Sequence, residues 1–207
     1  MRTPGKIALA VMLVLSAGSL ALADGKSVKF SEKELEKLKA GETVRQELPS
    51  SRKKGFYGGT GWAVINAKAD KIWKVLVDWS QYTKAFPHTE EMFEVSRKGD
   101  KSLIRMSMGH PVISVTNHLE MKRDAKRKTL SFKMVDNHPH DLDMIKGYWR
   151  LFPQEGDRTL VAYVLAFKVP MGIVNLVGPA FENEAMEGIL NAPGYLKTYV
   201  ETGKKAE

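Results

Sequence analysis

Histidine and aspartate side chains are concentrated at one place in this 207-residue sequence. His138 and His140 lie with three aspartates, Asp136, Asp141 and Asp143, in a single eight-residue stretch. A metal site needs several such ligands converging on one ion. This stretch, however, falls in a predicted hairpin connection, where Asn, Pro and Asp also serve as turn residues. We therefore expect a solvated loop here and no metal site.

The other polar candidates for catalysis are isolated. His88 and His110 are single, and the sequence supplies no identifiable second group to orient either one as a general base. The chain has no cysteine and no Gly-x-Ser-x-Gly nucleophile motif. Asn117 leaves two interpretations open, since it orients the polar end of a ligand or satisfies a local bulge. We therefore expect no cofactor and no enzymatic activity.

The N-terminus contains the three parts of a secretory signal peptide in order. Arg2 and Lys6 give a positive start, residues 7–15 are apolar but too few to span a bilayer comfortably, and residues 21–23 form a small-x-small cleavage signal. We predict that residues 1–23 are removed after Ala23 and that the protein is periplasmic or secreted. The alternative is a retained anchor. A cysteine-free exported chain has no disulfide framework, which suits a bacterial periplasm.

The net charge of the chain is +8, and removal of Arg2 and Lys6 leaves +6. This charge favours acidic partners such as anionic lipid headgroups, whereas an exported protein rarely meets nucleic acid, so we expect no nucleic-acid partner. The segment "KRDAKRK", residues 122–128, places five basic residues at a predicted hairpin tip. It suits transient contact with an anionic membrane surface, although such a run is more often a solvated turn.

Residues 24–55 form a predicted N-terminal arm outside the main domain. Ser31 and Glu34 make up a capping box, which predicts a short helix. Only Leu35 and Leu38 give that helix an apolar side. The stretch "ETVRQEL" that follows suits a short edge strand.

The main domain, residues 56–203, is predicted to be α+β. It opens with a strand, a helix over residues 69–77 and a second short helical piece that ends at Pro87. This second piece is our candidate for a moving lid. Antiparallel strands follow, and a long helix over residues 174–202 closes the domain, with a kink or break expected at Pro193. The predicted hairpin turns lie at residues 98–100, 124–126 and 155–157.

Alternation along the predicted strands assigns side chains to the two faces of the sheet. Charged positions such as Arg105 and Lys133 mark the solvent side, so their neighbours face inward. Placing Glu94 outward likewise directs Phe93 and Val95 inward. The inward side is rich in Met, Phe, Trp and Tyr, which fill cores and also line apolar pockets. Residue types alone favour a packed core over a cavity.

Three stretches carry a family resemblance: "INAKADKIWKVLVDWSQYTKAFPHTEEMFEV", "GYWRLFPQEGDRTLVAYVLAFKVP" and "MGIVNLVGPAFEN". Together with the order of elements over residues 56–202, they resemble the helix-grip fold of the START-like superfamily. That superfamily includes lipid-transfer domains, plant pathogenesis-related class 10 proteins, polyketide cyclases and coenzyme Q-binding proteins. The resemblance implies a curved antiparallel sheet of about seven strands wrapped on a long C-terminal helix, with two short helices after the first strand. The N-terminal arm departs from this pattern.

The resemblance also implies an internal apolar cavity between the sheet and the C-terminal helix. We therefore expect an exported carrier, monomeric by preference, that binds a hydrophobic small molecule or lipid of isoprenoid, quinone, sterol or fatty-acyl type without catalysis. The alternatives are a polyketide cyclase/aromatase-like enzyme on the same fold and a partner-binding module without a cavity. The implied ligand-binding wall comprises Leu76, Val77, Trp79, Tyr82, Phe86, Phe93, Met106, Met108, Phe132, Trp149, Tyr163, Phe167, Val177 and Phe181.

Overall fold

The computed structural model describes residues 20–21, 27–48, 55–110 and 113–206. Its architecture is α+β, with a large antiparallel sheet, a C-terminal helical pair and short helices after the first long strand. The elements in chain order are β1 (Leu20–Ala21), β2 (Ser27–Val28), α1 (Glu32–Lys39), β3 (Val44–Glu47), β4 (Phe56–Ile65), α2 (Ala69–Val77), a 3-10 helix (Trp79–Gln81), α3 (Tyr82–Ala85), β5 (Thr89–Lys98), β6 (Lys101–His110), β7 (Ile113–Asp124), β8 (Thr129–Met134), β9 (Met144–Gln154), β10 (Arg158–Lys168), α4 (Met171–Leu190) and α5 (Ala192–Thr202).

Eight strands form one antiparallel sheet in the order β3-β4-β10-β9-β8-β7-β6-β5, and β1 pairs with β2 apart from it. The three predicted hairpin turns are confirmed, because β5–β6, β7–β8 and β9–β10 meet at those positions. The sheet has one strand more than the seven expected. The stretch "ETVRQEL" supplies it as β3, which pairs with β4 so that Val44 lies opposite Trp62.

The N-terminal arm covers part of the outer face of the sheet. Its helix α1 begins with the predicted capping box, since Ser31 and Glu34 each bond the backbone amide of the other. Leu38 of this helix is buried in a cluster with Val44 and Trp62. The arm therefore gives β4 and β10 an apolar layer on their outer side, separate from the core on the inner side.

The C-terminal helix is broken in two, as its proline predicted. Helix α4 ends at Leu190 and α5 begins at Ala192, with Pro193 in the first turn of α5, where a missing N–H costs nothing. Helix α4 begins at Met171 instead of residue 174, because the chain turns into it directly after β10, and Val174 N already donates to Pro170 O at 3.2 Å. No helix within the described part of the chain is both long and apolar enough to span a bilayer.

The aromatic-rich stretch after α2 is a compact pair of short helices. Asp78 caps the N-terminus of the 3-10 helix, because its carboxylate accepts the backbone N–H of Ser80 at 3.1 Å. Trp73, on the preceding helix, is buried in the core, as is Tyr82. The Tyr199 hydroxyl of α5 donates to Gln81 Oε1 at 2.5 Å, which ties the pair to the C-terminal helix.

The alternation around Arg105 and Lys133 is confirmed, but the assignment around Glu94 is wrong. Phe93 is 42% exposed and Val95 is 48% exposed, whereas Met92 is buried. Met92 and Glu94 therefore share the inner side of β5. The register of β5 against β6 shifts on both sides of this region, and the inner position tolerates the Glu94 charge because the carboxylate is well supplied with donors.

The donors to Glu94 come from three elements. Its carboxylate accepts Ser102 Oγ at 2.6 Å, Trp79 Nε1 at 3.1 Å and the guanidinium of Arg97. The guanidinium of Arg123 donates to Ser102 and lies 5.8 Å from the Trp79 ring centre. Partial burial raises the pKa of Glu94, but the hydrogen bonds from Arg97, Ser102 and Trp79 outweigh it and lower the pKa from 4.5 to about 2.

The C-terminal helices α4 and α5 approach β4 most closely at Gly61. A Cβ at this position would collide with the carbonyl oxygen of Leu190 and would lie 3.0 Å from Pro193 Cδ. We predict that Gly61→Ala lowers the free energy of unfolding by about 2–3 kcal/mol. Urea denaturation measures this change.

Gly172→Ala is the matched control for that prediction. Gly172 lies in the first turn of α4, and a Cβ there would meet no atom within 4 Å. We expect it to leave stability unchanged or to raise it by up to about 1 kcal/mol. Equal losses from the two substitutions would contradict the close approach at Gly61.

We predict a pH-dependent contribution from Glu94. Since the folded pKa is depressed, the stabilisation is fully present above pH 4.5 and is lost as the pH falls toward 2. About a quarter of the side chain is exposed, so Glu94→Gln should cost only about 1–2 kcal/mol at pH 6. The difference from the wild type should narrow by more than half at pH 3.

Chemical denaturation at the two pH values measures that difference. Glu36→Gln, on the exposed side of α1, is the control and should differ little from the wild type at either pH. A penalty for Glu94→Gln that stays constant between pH 6 and pH 3 would contradict the depressed pKa.

Candidate ligand cavity

A cavity of about 510 Å³ lies between the inner face of the sheet and the helices α3, α4 and α5. It exists because the helices cover β4 closely while the inner faces of β6 to β9 keep free apolar surface. Most of its lining is apolar. The lining includes Tyr57, Tyr82, Phe86, Met92, Met106, Met108, Val115, Leu119, Met121, Phe132, Leu142, Ile145, Trp149, Tyr163, Leu165, Phe167, Val169, Ile173, Val174, Met186 and Ile189.

The structure brings eight of the predicted wall residues together around this cavity. They come from α3, from the residue that follows it and from four strands, and their contact with a ligand stays a prediction. The eight are Tyr82, Phe86, Met106, Met108, Phe132, Trp149, Tyr163 and Phe167.

Four predicted wall residues do not line the cavity. Leu76 is fully buried in the core, and Val77 packs against that core, because α2 lies beyond the end of the cavity. The indole of Trp79 is buried toward the edge strand, where it donates to Glu94. Phe93 faces solvent on the outer side of β5, beneath the guanidinium of Arg105.

Two more predicted residues, Val177 and Phe181, fall in residues 176–182, whose side chains lie outside the described part of the structure.

Sequence reasoning also missed several wall residues. Tyr57 and Met92 follow from the alternation once the strand registers are known. Nothing in the sequence indicated that Arg45 lines the cavity, since it reaches the cavity only through the pairing of β3 with β4.

Aromatic rings form a continuous strip along the wall. The ring centres of Tyr82 and Phe86 are 5.0 Å apart, those of Phe86 and Trp149 are 5.7 Å apart, and those of Trp149 and Tyr163 are 4.3 Å apart. Phe132 continues the strip at 6.1 Å from Tyr163. The rings fix one another in tilted and stacked contacts, so they present a rigid apolar surface to the cavity.

Two phenol groups belong to this strip. The hydroxyl of Tyr82 donates to the Leu76 carbonyl at 3.0 Å. Burial, and secondarily the neighbouring Tyr163, raises the pKa of Tyr82, and burial alone raises the pKa of Tyr163. Both phenols are therefore neutral at physiological pH and act as hydrogen-bonding groups.

Among the described residues that line the cavity, the charged side chains lie close together. Arg45 of β3 pairs with Glu187 of α4 at 2.7 Å, and the two side chains are 39% and 65% exposed. Glu184 lies one turn before Glu187, and His88 approaches the same helix at Gly188. The cavity therefore has an apolar interior and a polar, solvent-facing mouth.

The His/Asp stretch, residues 136–143, forms the loop between β8 and β9. Asn117 is buried, and its side-chain oxygen accepts the backbone N–H groups of Asp141 and Leu142. The ring of His118 stacks on that of His138 at 5.1 Å. These contacts account for Asn117 as a residue that holds the loop. Across the described residues, the structure contains no group of three or more metal-binding side chains positioned around one ion.

The basic hairpin tip lies at the opposite end of the sheet from the cavity mouth. It connects β7 to β8 at the end that also holds the turns at Gly99 and Gly156. Lys128 pairs with Asp70 at 2.5 Å and lies 5.7 Å from the ring centre of Trp73. Part of this basic run therefore packs against α2, and membrane contact at the tip stays a prediction.

Comparison with solved structures confirms the expected helix-grip fold. The chain superposes on a protein from Thermus thermophilus with a TM-score of 0.60 and 17% identity, over 70% of this chain and 97% of that one. The Zhui aromatase/cyclase from a Streptomyces species gives 0.57 and 18%, over 73% and 99%. The STAR-related lipid transfer protein from Xanthomonas axonopodis gives 0.54 and 15%, over 76% and 99%.

Comparison with family models identifies the protein family to which the chain is related. The model described as polyketide cyclase / dehydrase and lipid transport matches residues 65–192, which is more than half of the chain. No curated protein matches the sequence. The matched residues run from the end of β4 to the first residue of α5, and so include most of the cavity wall. The chain belongs to the polyketide cyclase / dehydrase and lipid transport family.

Proposed function

We propose that the protein binds and carries a hydrophobic small molecule or lipid without transforming it. The observation that supports this most directly is the cavity itself, about 510 Å³ with an aromatic and methionine-rich wall. This volume lies in the range of about 300–1,000 Å³ typical of small-molecule sites. Transfer of a ligand from water into the cavity gains about 25 cal/mol for each Å² of apolar surface buried.

The distribution of polar groups suggests how such a ligand is oriented. An apolar body fits along the aromatic strip, and a polar head fits at the mouth near Arg45, His88 and Glu187. The Tyr163 hydroxyl is a further hydrogen-bonding group part-way along the wall. Isoprenoid, quinone, sterol and fatty-acyl molecules share this division into a long apolar body and a small polar end.

A cyclase/aromatase-like enzyme is the second candidate function. It is favoured by one observation, since His88 lines the cavity together with Glu184 and Glu187, and these are the side chains that acid–base catalysis uses. We rank it second because these groups lie at the mouth, whereas the interior titratable groups are phenols with raised pKa values, which are poor bases at neutral pH.

We propose that part of the wall moves during ligand exchange. The two short helices before Pro87, the 3-10 helix and α3, remain our candidate for the moving segment, because Tyr82 and Phe86 line the cavity. Its opening would break the bond from Tyr199 to Gln81 and the bond from the Lys205 ammonium to the Thr83 carbonyl. We also propose that the protein works after export, in the periplasm or outside the cell.

We predict that Met106→Trp blocks ligand uptake while leaving the fold intact. Met106 lines the cavity, so the larger ring has space to occupy there. The variant should melt within a few degrees of the wild type and should bind the apolar fluorophore N-phenyl-1-naphthylamine about tenfold more weakly or worse. Fluorescence titration and thermal melting measure the two effects.

Ile104→Trp is the matched control, two residues earlier on the same face of β6. Ile104 is fully buried and does not line the cavity, so overpacking should cost about 3 kcal/mol or more. If Met106→Trp destabilises the protein as much as Ile104→Trp does, then the space is filled core and the proposed function is wrong.

A further inference from the structure

The Tyr163 hydroxyl is a polar group that lies in the aromatic part of the cavity wall. Tyr163 belongs to β10, which runs between β4 and β9, and its side chain lines the cavity. The ring is surrounded by protein, and the part of its surface that stays accessible faces the cavity. Within the described part of the chain, the hydroxyl forms no hydrogen bond with another residue. A buried polar group of this kind calls for an explanation.

The neighbouring phenol of the aromatic strip differs in this respect. The Tyr82 hydroxyl already donates its proton to the Leu76 carbonyl at 3.0 Å. Burial, and after it the nearby Tyr163, raises the pKa of Tyr82, so the two phenols interact across the wall. One phenol is thus committed to the fold, whereas the other can hydrogen-bond to a molecule in the cavity.

Neighbouring residues hold the Tyr163 side chain in place. In the sheet, Tyr163 is paired with Trp149 on one side and with Gly61 on the other. Its ring centre lies 4.3 Å from that of Trp149 and 6.1 Å from that of Phe132. The hydroxyl is therefore presented in a fixed position, which lowers the entropy cost of forming a hydrogen bond with a ligand.

The chemistry of this hydroxyl is that of a neutral donor. Burial raises the pKa of Tyr163, so the phenol keeps its proton at neutral pH and offers an O–H to an acceptor. A carbonyl oxygen suits this donor, because it accepts the bond and brings no charge into an apolar surrounding. A ligand without an acceptor at this place would leave the hydroxyl unpaired and would bind more weakly for that reason.

The rings around the hydroxyl favour a flat ligand. Successive ring centres along the strip are 4.3–6.1 Å apart, and the rings are those of Tyr82, Phe86, Trp149, Tyr163 and Phe132. A flat ring system stacks on such a surface, whereas a flexible chain loses more rotational freedom when it is laid along it. A chain held with its polar end at the mouth would also place no acceptor near Tyr163.

We propose that the Tyr163 hydroxyl donates a hydrogen bond to a carbonyl oxygen in the ring system of the ligand. Tyr163 thereby selects flat apolar molecules that carry such an oxygen over hydrocarbons of the same shape. This inference rests on the proposed function, because it assumes that the cavity holds a ligand.

Fluorenone and fluorene test the proposal, because they share a flat three-ring frame and differ only in a carbonyl in place of a methylene group. Competition with N-phenyl-1-naphthylamine measures the affinity of each for the purified protein. The variant is Tyr163→Phe, which removes the hydroxyl, keeps the ring and should melt within a few degrees of the wild type. In this variant, the affinity for fluorenone relative to that for fluorene should fall about three- to tenfold.

Tyr148→Phe is the matched control. Tyr148 precedes Trp149 on β9, so its side chain points to the outer side of the sheet, and it does not line the cavity. This variant also loses one phenol hydroxyl, but it should keep the wild-type ratio of the two affinities.

Three results would overturn the proposal. These are an unchanged ratio in Tyr163→Phe, an equal fall in Tyr148→Phe, and a fall in Tyr82→Phe alone, which would assign the bond to the other phenol. In each case fluorene and the fluorophore would still bind, and the proposed function would stand. Failure of all three molecules to bind the wild-type protein would refute both the proposed function and this inference.

Discussion

The close contact of the α4–α5 junction with β4 is the constraint on which the rest of the structure depends. Gly61 has no side chain, so the backbone of Leu190 can lie directly against the strand. The helices are thereby held against the inner face of the sheet. Part of the inner face of the strands farther along the sheet stays uncovered by the helices, and the cavity is the space that results.

The outer face of the same strands is stabilised in a different way. Helix α1 and β3 bury Trp62 and its neighbours from the outside, so β4 is packed on both faces. The arm also contributes Arg45, which pairs with Glu187 at the mouth. One N-terminal segment thus reinforces the strand that carries the helices and completes the polar end of the cavity.

Local chemistry made much of this fold predictable. The turns at Gly99 and Gly156, the cap at Ser31 and the break at Pro193 each follow from residues a few positions apart. The inner face of β6 follows from the simple alternation of charged and apolar residues. In each case the signal lies within one element, and no distant contact competes with it.

The errors arose where distant contacts decide the outcome. Glu94 lies on the inner side of β5 because Ser102 and Trp79 supply hydrogen bonds from other elements, and Phe93 is directed outward as a consequence. Arg45 reaches the cavity mouth only because β3 pairs with β4 opposite Gly61. Hydrophobic pattern alone also cannot distinguish a core residue such as Leu76 from a wall residue such as Met106.

Family and fold admit both lipid carriers and cyclases, so the content of the cavity is the decisive property. Native mass spectrometry of the protein purified from its own source tests this most directly. We expect a fraction heavier than the polypeptide, from which denaturation releases an apolar molecule that organic extraction recovers. A single mass equal to that of the polypeptide, together with no uptake of added apolar fluorophore, would contradict it.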